Sequence, residues 1–371
     1  MTDFRQYWVG LNLVKGIGSV RLRTLLNAFG DAQSAWTASP DELREAGLTS
    51  RLVDNLVRLR ADISLDDVWE DIQSQDVRVL TWEDNDYPTR LRDLDNAPPV
   101  LYIRGELLPA DEWAVAIVGT RRVTSYGRRV TKSIAREMAR NGVTVVSGLA
   151  RGVDGVAHSA AIEAGGRTLA VLGCGVDKIY PPEHRKLAEK VMANGALISD
   201  YSLGTPPEGR NFPPRNRIIA GLSLATVVVE AGKRSGALIT SDFALEQGRE
   251  VFSVPGNVTA PQSRGANRLI QQGAHPLLDP KEILATLELT MVTEHREARM
   301  VLPSNPTEAQ LFETLGLESM HVDEIRANTK LPIEKVTATL AMMELKGMVR
   351  KVGGMRYTAV REMGADYDAG A

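Results

Sequence analysis

The chain has little cysteine and no long apolar run. Cys174 is the only cysteine among 371 residues, which excludes an intrachain disulfide framework and fits a reducing compartment. No apolar stretch approaches the length that spans a bilayer, and residues 1–8 lack the basic start of a secretory signal. These absences predict a cytoplasmic protein without a membrane partner.

Three enzyme signatures are also missing. The dinucleotide fingerprint G-x-G-x-x-G does not follow the first buried strand predicted below, where Gly119 stands alone. The phosphate loop of ATPases is absent, because Arg234 follows Gly232-Lys233 where that loop has Ser or Thr. One cysteine and five scattered histidines show no metal-ligand spacing. We therefore expect no cofactor and no metal, and the sequence argues against a dehydrogenase, an ATPase and a zinc hydrolase.

The positive charge of the chain is concentrated in its central part. The formal net charge is −3, yet residues 111–280 hold 21 Lys and Arg against 15 Asp and Glu, a balance of +6. Sixteen of those 21 cations are arginines, whose planar guanidinium suits phosphate oxygens and base stacking. A polyanion is the predicted ligand, although a solvated surface of mixed charge would give the same count.

Four parts are predicted along the chain. Residues 1–75 favour a helical domain of the SAM-like or helix-hairpin-helix-like kind, for which a packing role is preferred to phosphate binding. Residues 76–290 favour an extended Rossmann-like domain, 291–305 a linker, and 306–361 three helices and a hairpin, the outline of a winged helix. The candidate recognition helix of that last part is poorly basic, so DNA contact and protein contact both stay open for it.

Short apolar runs alternate with helical stretches in the central part. The runs lie at 114–119, 143–148, 168–173, 196–199, 225–231 and 251–255, and the helices near 124–141, 154–165, 183–193, 213–222, 236–247 and 264–272. This alternation predicts an α/β fold with a doubly wound parallel sheet. Ligands of such sheets bind outside the carboxyl ends of the strands, so the loops after the runs are the candidate site.

Those loops are rich in glycine and in cations. Gly119 permits a tight turn, Thr120 offers a hydroxyl, and the helix that follows points its amino terminus at the loop, which predicts an anion site. Arginines pointing into water are the less favoured alternative, since residues 119–136 hold six cations and no carboxylate. The candidate residues are Gly119, Thr120, Arg121, Arg122, Gly148, Arg151, Lys178, Lys233, Arg234, Ser235 and Arg264.

The segment 206–221 interleaves an aromatic ring with arginines. Phe212 lies among cations and amides, and a ring stacks on any base while arginines neutralise the phosphates of an unpaired strand. Phe212 could instead anchor the loop in the core. The candidate residues here are Arg210, Asn211, Phe212, Arg215, Asn216 and Arg217.

Taken together, these segments resemble the DNA-processing protein A (DprA, or Smf) family, the single-strand binders and recombinase loaders of natural transformation. The match covers nearly the whole chain. It rests on Ile117-Val-Gly-Thr-Arg, Ser147-Gly-Leu-Ala-Arg-Gly-Val-Asp, Leu172-Gly-Cys-Gly-Val-Asp, Tyr180-Pro-Pro, Phe212-Pro-Pro-Arg-Asn-Arg-Ile-Ile-Ala-Gly, Lys233-Arg-Ser-Gly-Ala-Leu-Ile-Thr and Val254-Pro-Gly-Asn.

The resemblance implies a role for individual residues and for partners. Arg121 is expected to contact phosphate, and Phe212, Arg215 and Arg217 to line the same single-strand pocket. It further implies a homodimer formed through the Rossmann-like domain, handover of single-stranded DNA to RecA recombinase, and no catalysis.

The main alternative is a nucleotide-processing hydrolase related to the lysine-decarboxylase-like phosphoribohydrolases. Those enzymes resemble this chain at the glycine-rich turn 232–236, and they place a glutamate early in the helix that follows. Here residues 237–241 contain no carboxylate. Glu230 stands at the strand end, but one carboxylate among arginines is more simply a structural ion-pair partner. The hydrolase is therefore the less favoured function.

Overall fold

The computed structural model describes residues 3–289, 306–315, 320–329, 331–345, 349–353 and 355–359. The chain forms two compact units, Met1–Leu289 and Thr290–Ala371. The predicted linker 291–305 lies outside the described residues. No helix in the described ranges is long and apolar enough to cross a membrane.

The first unit begins with six helices that pack onto the sheet. They are α1 (Arg5–Leu13), α2 (Ser19–Phe29), α3 (Ala32–Thr37), α4 (Pro40–Glu45), α5 (Ser50–Asp62) and α6 (Leu65–Ser74). Trp8 and Leu56 of these helices share a hydrophobic core with Val79 and Tyr102 of the sheet. Because helices and sheet share this core, the division at residue 75 stays a prediction.

Nine strands form the large sheet of this unit. They are β1 (Arg78–Thr81), β2 (Val100–Gly105), β3 (Ala114–Val118), β4 (Thr144–Ser147), β5 (Thr168–Val171), β6 (Gly195–Ser199), β7 (Ala225–Val228), β8 (Glu250–Ser253) and β9 (His275–Pro276). Their order is β1-β2-β6-β5-β4-β3-β7-β8-β9. Strands β3 to β9 pair in parallel, which confirms the predicted doubly wound sheet. β1 and β2 lie outside the apolar runs predicted for the sheet, and they extend it by antiparallel pairing.

Helices cover both faces of the sheet. They are α7 (Thr89–Arg92), α8 (Ser125–Arg140), α9 (Val153–Glu163), α10 (Arg185–Ala193), α11 (Phe212–Gly221), α12 (Gly236–Glu246), α13 (Arg264–Gln271) and α14 (Lys281–Thr286). Crossovers between parallel strands are right-handed, so α8 to α10 lie on one face and α11 to α13 on the other. The core agrees: Leu169 and Val171 of β5 pack with Ile218 of α11, whereas Ala170 packs with Ala188 of α10.

The second unit has the predicted winged-helix outline. Its described elements are α15 (Pro306–Thr314), β10 (Met320–His321), α16 (Val322–Thr329), α17 (Ile333–Leu345), β11 (Val349–Gly353) and β12 (Arg356–Ala359). The three strands form a sheet in the order β10-β12-β11. Leu311, Ile325, Val336 and Leu340 fill its core, one or more from each helix.

Candidate nucleic-acid interface

The parallel strands end along one edge of the large sheet, here called the strand-end edge. The loops after β6, β5, β4, β3, β7 and β8 lie along it in that order, with neighbouring strands about 4.8 Å apart. Seven predicted cations project from five of these loops, and all seven are exposed. In order along the edge they are Lys178, Arg151, Arg121 and Arg122, Lys233 and Arg234, and Arg264.

A cleft of about 340 Å³ opens on this edge beside β3. The crossovers reverse direction between β3 and β7, so the helices of the two faces diverge there and leave the strand ends uncovered. Six predicted residues line the cleft: Gly119, Arg121, Phe212, Arg215, Asn216 and Ser235. The other eleven lie outside its lining: Thr120, Arg122, Gly148, Arg151, Lys178, Arg210, Asn211, Arg217, Lys233, Arg234 and Arg264.

The loop after β3 is held tightly against its neighbours. A Cβ on Gly119 would lie 2.6 Å from Cγ2 of Val153, so this position requires glycine. The Thr120 amide donates to the Glu230 carbonyl over 2.7 Å, and the Thr120 hydroxyl oxygen accepts from the Arg122 amide over 3.2 Å. The Thr120 hydroxyl therefore shapes the turn that presents Arg121 and Arg122.

The amino terminus of α8 does not contribute to an anion site, contrary to the prediction. The Thr124 amide donates to one carboxylate oxygen of Glu230 over 3.0 Å, and the Thr124 hydroxyl donates to the other. A Cβ on Gly127 would lie 2.3 Å from the same carboxylate. The helix dipole thus already faces a buried anion of the protein. Glu230 was expected to pair with a cation, but no described Lys or Arg is its salt-bridge partner.

The amino terminus of α12 faces the cleft instead. Ser235 caps this helix, since its hydroxyl oxygen accepts from the Ala237 amide over 3.4 Å. Ser235, Gly236 and Ala237 all line the cleft, as does Arg121. The first amides of a helix lack partners within the helix, which favours an anion near them. Arg121 and the start of α12 therefore form the candidate anion site of this cleft.

The ring of Phe212 contacts two guanidinium groups, one exposed (Arg121) and one buried (Arg215). Its half-buried ring packs against Tyr180 with the ring centroids 5.6 Å apart. The guanidinium carbon of Arg121 lies 5.7 Å from the Phe212 centroid, and that of Arg215 lies 5.8 Å from it. Cation–π attraction therefore orients Arg121 on the cleft side. The ring is thus anchored in the protein and still lines the cleft, and its stacking on a base stays a prediction.

Arg215 lines the cleft, but its guanidinium is committed to groups of the protein. Its side chain is buried and donates to the Gly148 carbonyl over 3.1 Å and to the Val171 carbonyl. Burial lowers the pKa of the Arg215 guanidinium to about 10, while the charge of Asp154 opposes that shift. A guanidinium committed to two backbone carbonyls at the ends of β4 and β5 positions the cleft wall and is not free to follow a strand.

Four further predicted cations have carboxylate partners. The most buried of these pairs is Arg217 with Asp200. The guanidinium lies 2.7 Å from a carboxylate oxygen, and both side chains are about 15% exposed. In the other three pairs the cation is exposed: Lys178 with Asp177, whose own side chain is 11% exposed, Arg151 with Glu183 and Arg210 with Glu208. Surface pairs of this kind are weak, so they can exchange partners. Arg217 is held far more firmly, and a phosphate contact from it is not supported.

Five predicted cations of the strand-end edge have no carboxylate partner among the described residues; they are called the outer cations. Salt-bridge partners within 4.0 Å exist for the four residues above but for none of these five in the described ranges. The outer cations are Arg121, Arg122, Lys233, Arg234 and Arg264.

The predicted amides and Gly148 also prove structural. Asn216 is buried and donates to the Gly236 carbonyl over 3.2 Å, which ties α11 to α12. Asn211 is buried, and its backbone carbonyl accepts from the Tyr201 hydroxyl over 3.3 Å. A Cβ on Gly148 would lie 2.7 Å from the Arg215 guanidinium. These three positions shape the cleft through packing rather than by presenting groups to a ligand.

Two buried residues of α9, Asp154 and His158, were not among the predicted site residues. Asp154 accepts from the Gly148 amide over 3.1 Å and so holds the turn after β4; burial raises the pKa of its carboxyl, and Arg215 opposes the rise. His158 is fully buried, and its Nδ1 lies 2.7 Å from the Thr168 hydroxyl oxygen. Burial lowers the pKa of the His158 ring to about 3. The signal available in the sequence was the position of Asp154 at the start of a predicted helix, where the helix dipole favours a carboxylate.

Fold and site together define a Rossmann-like protein with a cleft at its cation-rich strand-end edge, and a winged-helix unit follows along the chain. Residues 78–288 match the family model described as DNA recombination-mediator protein A, and residues 296–355 match the DprA winged helix domain. This chain belongs to the DNA recombination-mediator protein A (DprA, or Smf) family.

Individual relatives agree with this membership. Protein Smf of Synechocystis is 36% identical, over 95% of this chain and 98% of its own length. The X-ray structure of DNA processing protein A from Streptococcus pneumoniae has a TM-score of 0.66 at 30% identity and covers 77% of this chain and 98% of its own. A structure of DNA processing protein A from Helicobacter pylori, described for its single-stranded DNA binding mode, has a TM-score of 0.52 at 31% identity and covers 57% of this chain and 95% of its own.

Proposed function

We propose that this protein binds single-stranded DNA along the strand-end edge, with one nucleotide seated in the cleft, and that it performs no catalysis there. The observation that carries the proposal is the arrangement around Phe212. An exposed guanidinium, Arg121, lies over a half-buried ring in a cleft that also receives the start of α12. A flat cationic platform beside an anion site fits a base and its phosphate.

The outer cations support a path for the rest of the strand. They project from the loops after β3, β7 and β8, which are neighbours in the sheet. Phosphate contacts from such residues position a strand without reading its sequence. Membership of a family whose Helicobacter pylori member was studied for its single-stranded DNA binding mode points the same way.

The hydrolase alternative finds little support in the cleft. Asp154 is the only carboxylate in its described lining, and its oxygen accepts from the Gly148 and Ala150 amides. Glu230, the other carboxylate considered, is committed to Thr124 at the start of α8. A general acid or base must reach the reacting group, and neither carboxylate is available to do so.

The proposal includes the partners expected from the family. Handover of bound strand to RecA recombinase rests on the family description as a recombination mediator, and protection of incoming DNA in the cytoplasm goes with it. A homodimer through the Rossmann-like unit has a candidate surface: β9 is an edge strand, and Leu278 just beyond it is 77% exposed. Open sheet edges favour pairing with a second chain.

The test is fluorescence anisotropy with single- and double-stranded oligonucleotides of equal length, titrated with salt. Five outer cations that meet phosphates give a slope of log K against log salt of about −3.5 for a single strand. Tighter binding to the duplex, or a slope near zero, contradicts the proposal. Release of free base from a nucleoside monophosphate would favour the hydrolase.

A further inference from the structure

One face of α8 carries a row of cations outside the cleft lining, here called the α8 row. It comprises Arg128, Lys132, Arg136 and Arg140 at a spacing of four residues, with Arg129 beside them. Four residues advance a helix by about 6 Å and turn it by about 40°, so the five side chains occupy roughly one third of its circumference. The residues that α8 buries, such as Ile134 and Met138, lie on the opposite side.

The α8 row is poorly neutralised. Arg136 pairs with Glu163 of α9 at 3.0 Å, and Glu137 beside it accepts from the Asn141 amide over 3.3 Å. Arg128, Arg129, Lys132 and Arg140 have no salt-bridge partner in the part of the chain that the structure describes. Like charges four residues apart weaken a helix, so a bound polyanion would relieve a repulsion built into α8.

The row continues directly from the strand-end edge. α8 starts three residues after Arg122, and Arg128 lies in its first turn. From there the row runs about 18 Å along the helix to Arg140, away from the cleft. A polymer that leaves the cleft at Arg121 and Arg122 therefore meets Arg128 next.

The chemistry of the row favours a nucleic-acid backbone over other polyanions. Four of its five cations are arginines, which bind phosphate through paired donors. An anionic membrane surface also needs exposed large apolar side chains, and the only one on α8 is Tyr126, whose hydroxyl donates to the Pro255 carbonyl. A protein partner needs a central apolar or aromatic anchor, and none of the exposed large hydrophobic residues lies among the row.

We propose that the α8 row is a second polynucleotide site, which takes the phosphates of a strand whose other end occupies the cleft. This inference rests on the proposed function for its first half, the occupied cleft. It assigns a binding role to Arg128, Arg129, Lys132, Arg136 and Arg140.

The test compares a short oligonucleotide that fills only the cleft with one several times longer. In the variant Arg128→Gln/Lys132→Gln/Arg140→Gln the short strand binds as in the wild type, whereas the long strand binds about tenfold more weakly at low salt. The salt slope for the long strand falls by about 2, the contribution of three phosphates. Glutamine preserves helix propensity, and the pair Arg128→Gln/Lys132→Gln gives a smaller effect of the same kind.

The matched control removes the same charge elsewhere. Arg51→Gln/Arg58→Gln/Lys190→Gln neutralises exposed cations of α5 and α10, outside the cleft lining and the row. Equal losses in row and control variants, or equal losses for short and long strands, overturn the inference. A row variant that binds long strands like the wild type also overturns it and leaves a protein partner for this face. Absence of short-strand binding in the wild type contradicts the cleft proposal instead.

A photo-crosslink gives a readout that does not depend on affinity. Cys174 is buried, so a benzophenone reagent can be directed to Lys132→Cys, with Lys190→Cys as the control. The inference expects a crosslink to the long strand from position 132 and none from position 190. A crosslink from both positions, or from neither, contradicts it.

Discussion

The cations at the strand-end edge form two layers that look alike in the sequence and differ in the folded protein. The inner cations, Arg215 and Arg217, have internal partners: two backbone carbonyls for the first and Asp200 for the second. The outer cations, defined above, lie in the loops after β3 and β7 or at the start of α13, and have no carboxylate partner in the described ranges.

The difference follows from the element that carries each residue. Arg215 lies in the first turn of α11, which crosses over the ends of β4 and β5, so its side chain points into the protein. Arg121 follows directly from β3 and remains in the loop. A buried charge needs fixed partners, whereas an exposed one can exchange water for phosphate. The number of arginines therefore overstates the number available to a ligand. Whether an arginine is buried or exposed depends on whether it lies in the helix of a crossover or in the loop before that helix.

Removal of an inner cation should give the largest effect. Arg215→Met should lower the free energy of unfolding by about 3–5 kcal/mol, because the Gly148 and Val171 carbonyls lose a buried donor. Arg121→Met, its outer counterpart, should change stability by less than about 0.5 kcal/mol. Urea unfolding with matched m-values measures both. Similar stabilities for the two variants would remove the distinction between layers.

Phe212, which touches a cation of each layer, should give the next largest effect. Phe212→Ala should weaken single-strand binding by roughly 1–3 kcal/mol if the ring and Arg121 together support a base. Tyr180→Ala is the control, since Tyr180 packs on Phe212 from outside the cleft lining. Anisotropy titrations of folded variants compare the two. Equal losses would reduce Phe212 to a packing residue.

The stability of the buried region near Arg215 should also respond to pH, through His158. Burial lowers the pKa of His158 from 6.5 to about 3, so the folded protein keeps the ring neutral while the unfolded chain takes up a proton below about pH 6.5. Stability contributed by the neutral ring is thus complete above pH 6.5 and declines below it, by up to about 1.4 kcal/mol per pH unit. His158→Gln should remove this component. The free energy of unfolding, followed from pH 7 to 5 in both proteins, checks it.

The smallest expected effect is on the salt dependence of single-strand binding, which should differ between one outer cation, Arg121, and one inner cation, Arg217. Arg121→Gln should reduce the steepness of log K against log salt by about 0.7, the value for one phosphate on a single strand. Arg217→Gln should leave the slope unchanged, since its guanidinium is held by Asp200. Anisotropy at several salt concentrations measures both slopes. A reduced slope for Arg217→Gln would place it among the outer cations.

Much of the fold was predictable from local patterns. The buried runs of β3 to β8 and the helices between them were found within a few residues, because parallel strands covered on both faces leave uninterrupted apolar segments. β1 and β2 were missed as members of the sheet. Their pairing is antiparallel and joins distant parts of the chain. A local sequence pattern does not indicate to which edge of a sheet a strand adds.

The candidate site was predictable in position but not in detail. Parallel topology places every strand-end loop on one edge, so the motifs located Arg121 and the turn 232–236 on the same edge of the sheet. Glu230 shows the limit of that reasoning. Whether a carboxylate caps the start of α8 or meets a cation depends on a contact between residues 124 and 230, and this contact exists only after β3 and β7 pair.

Composition, periodicity and motif order were thus enough to predict a doubly wound α/β protein of this family with a polyanion site on one edge of its sheet. Which arginines are free to meet a polyanion was settled by the folded chain. Local sequence reports charge and hydrophobic period, whereas desolvation and hydrogen bonding depend on neighbours brought together from distant segments. Arg215 and Arg121 carry the same charge, and burial of Arg215 between α11 and the strand ends is what separates their roles.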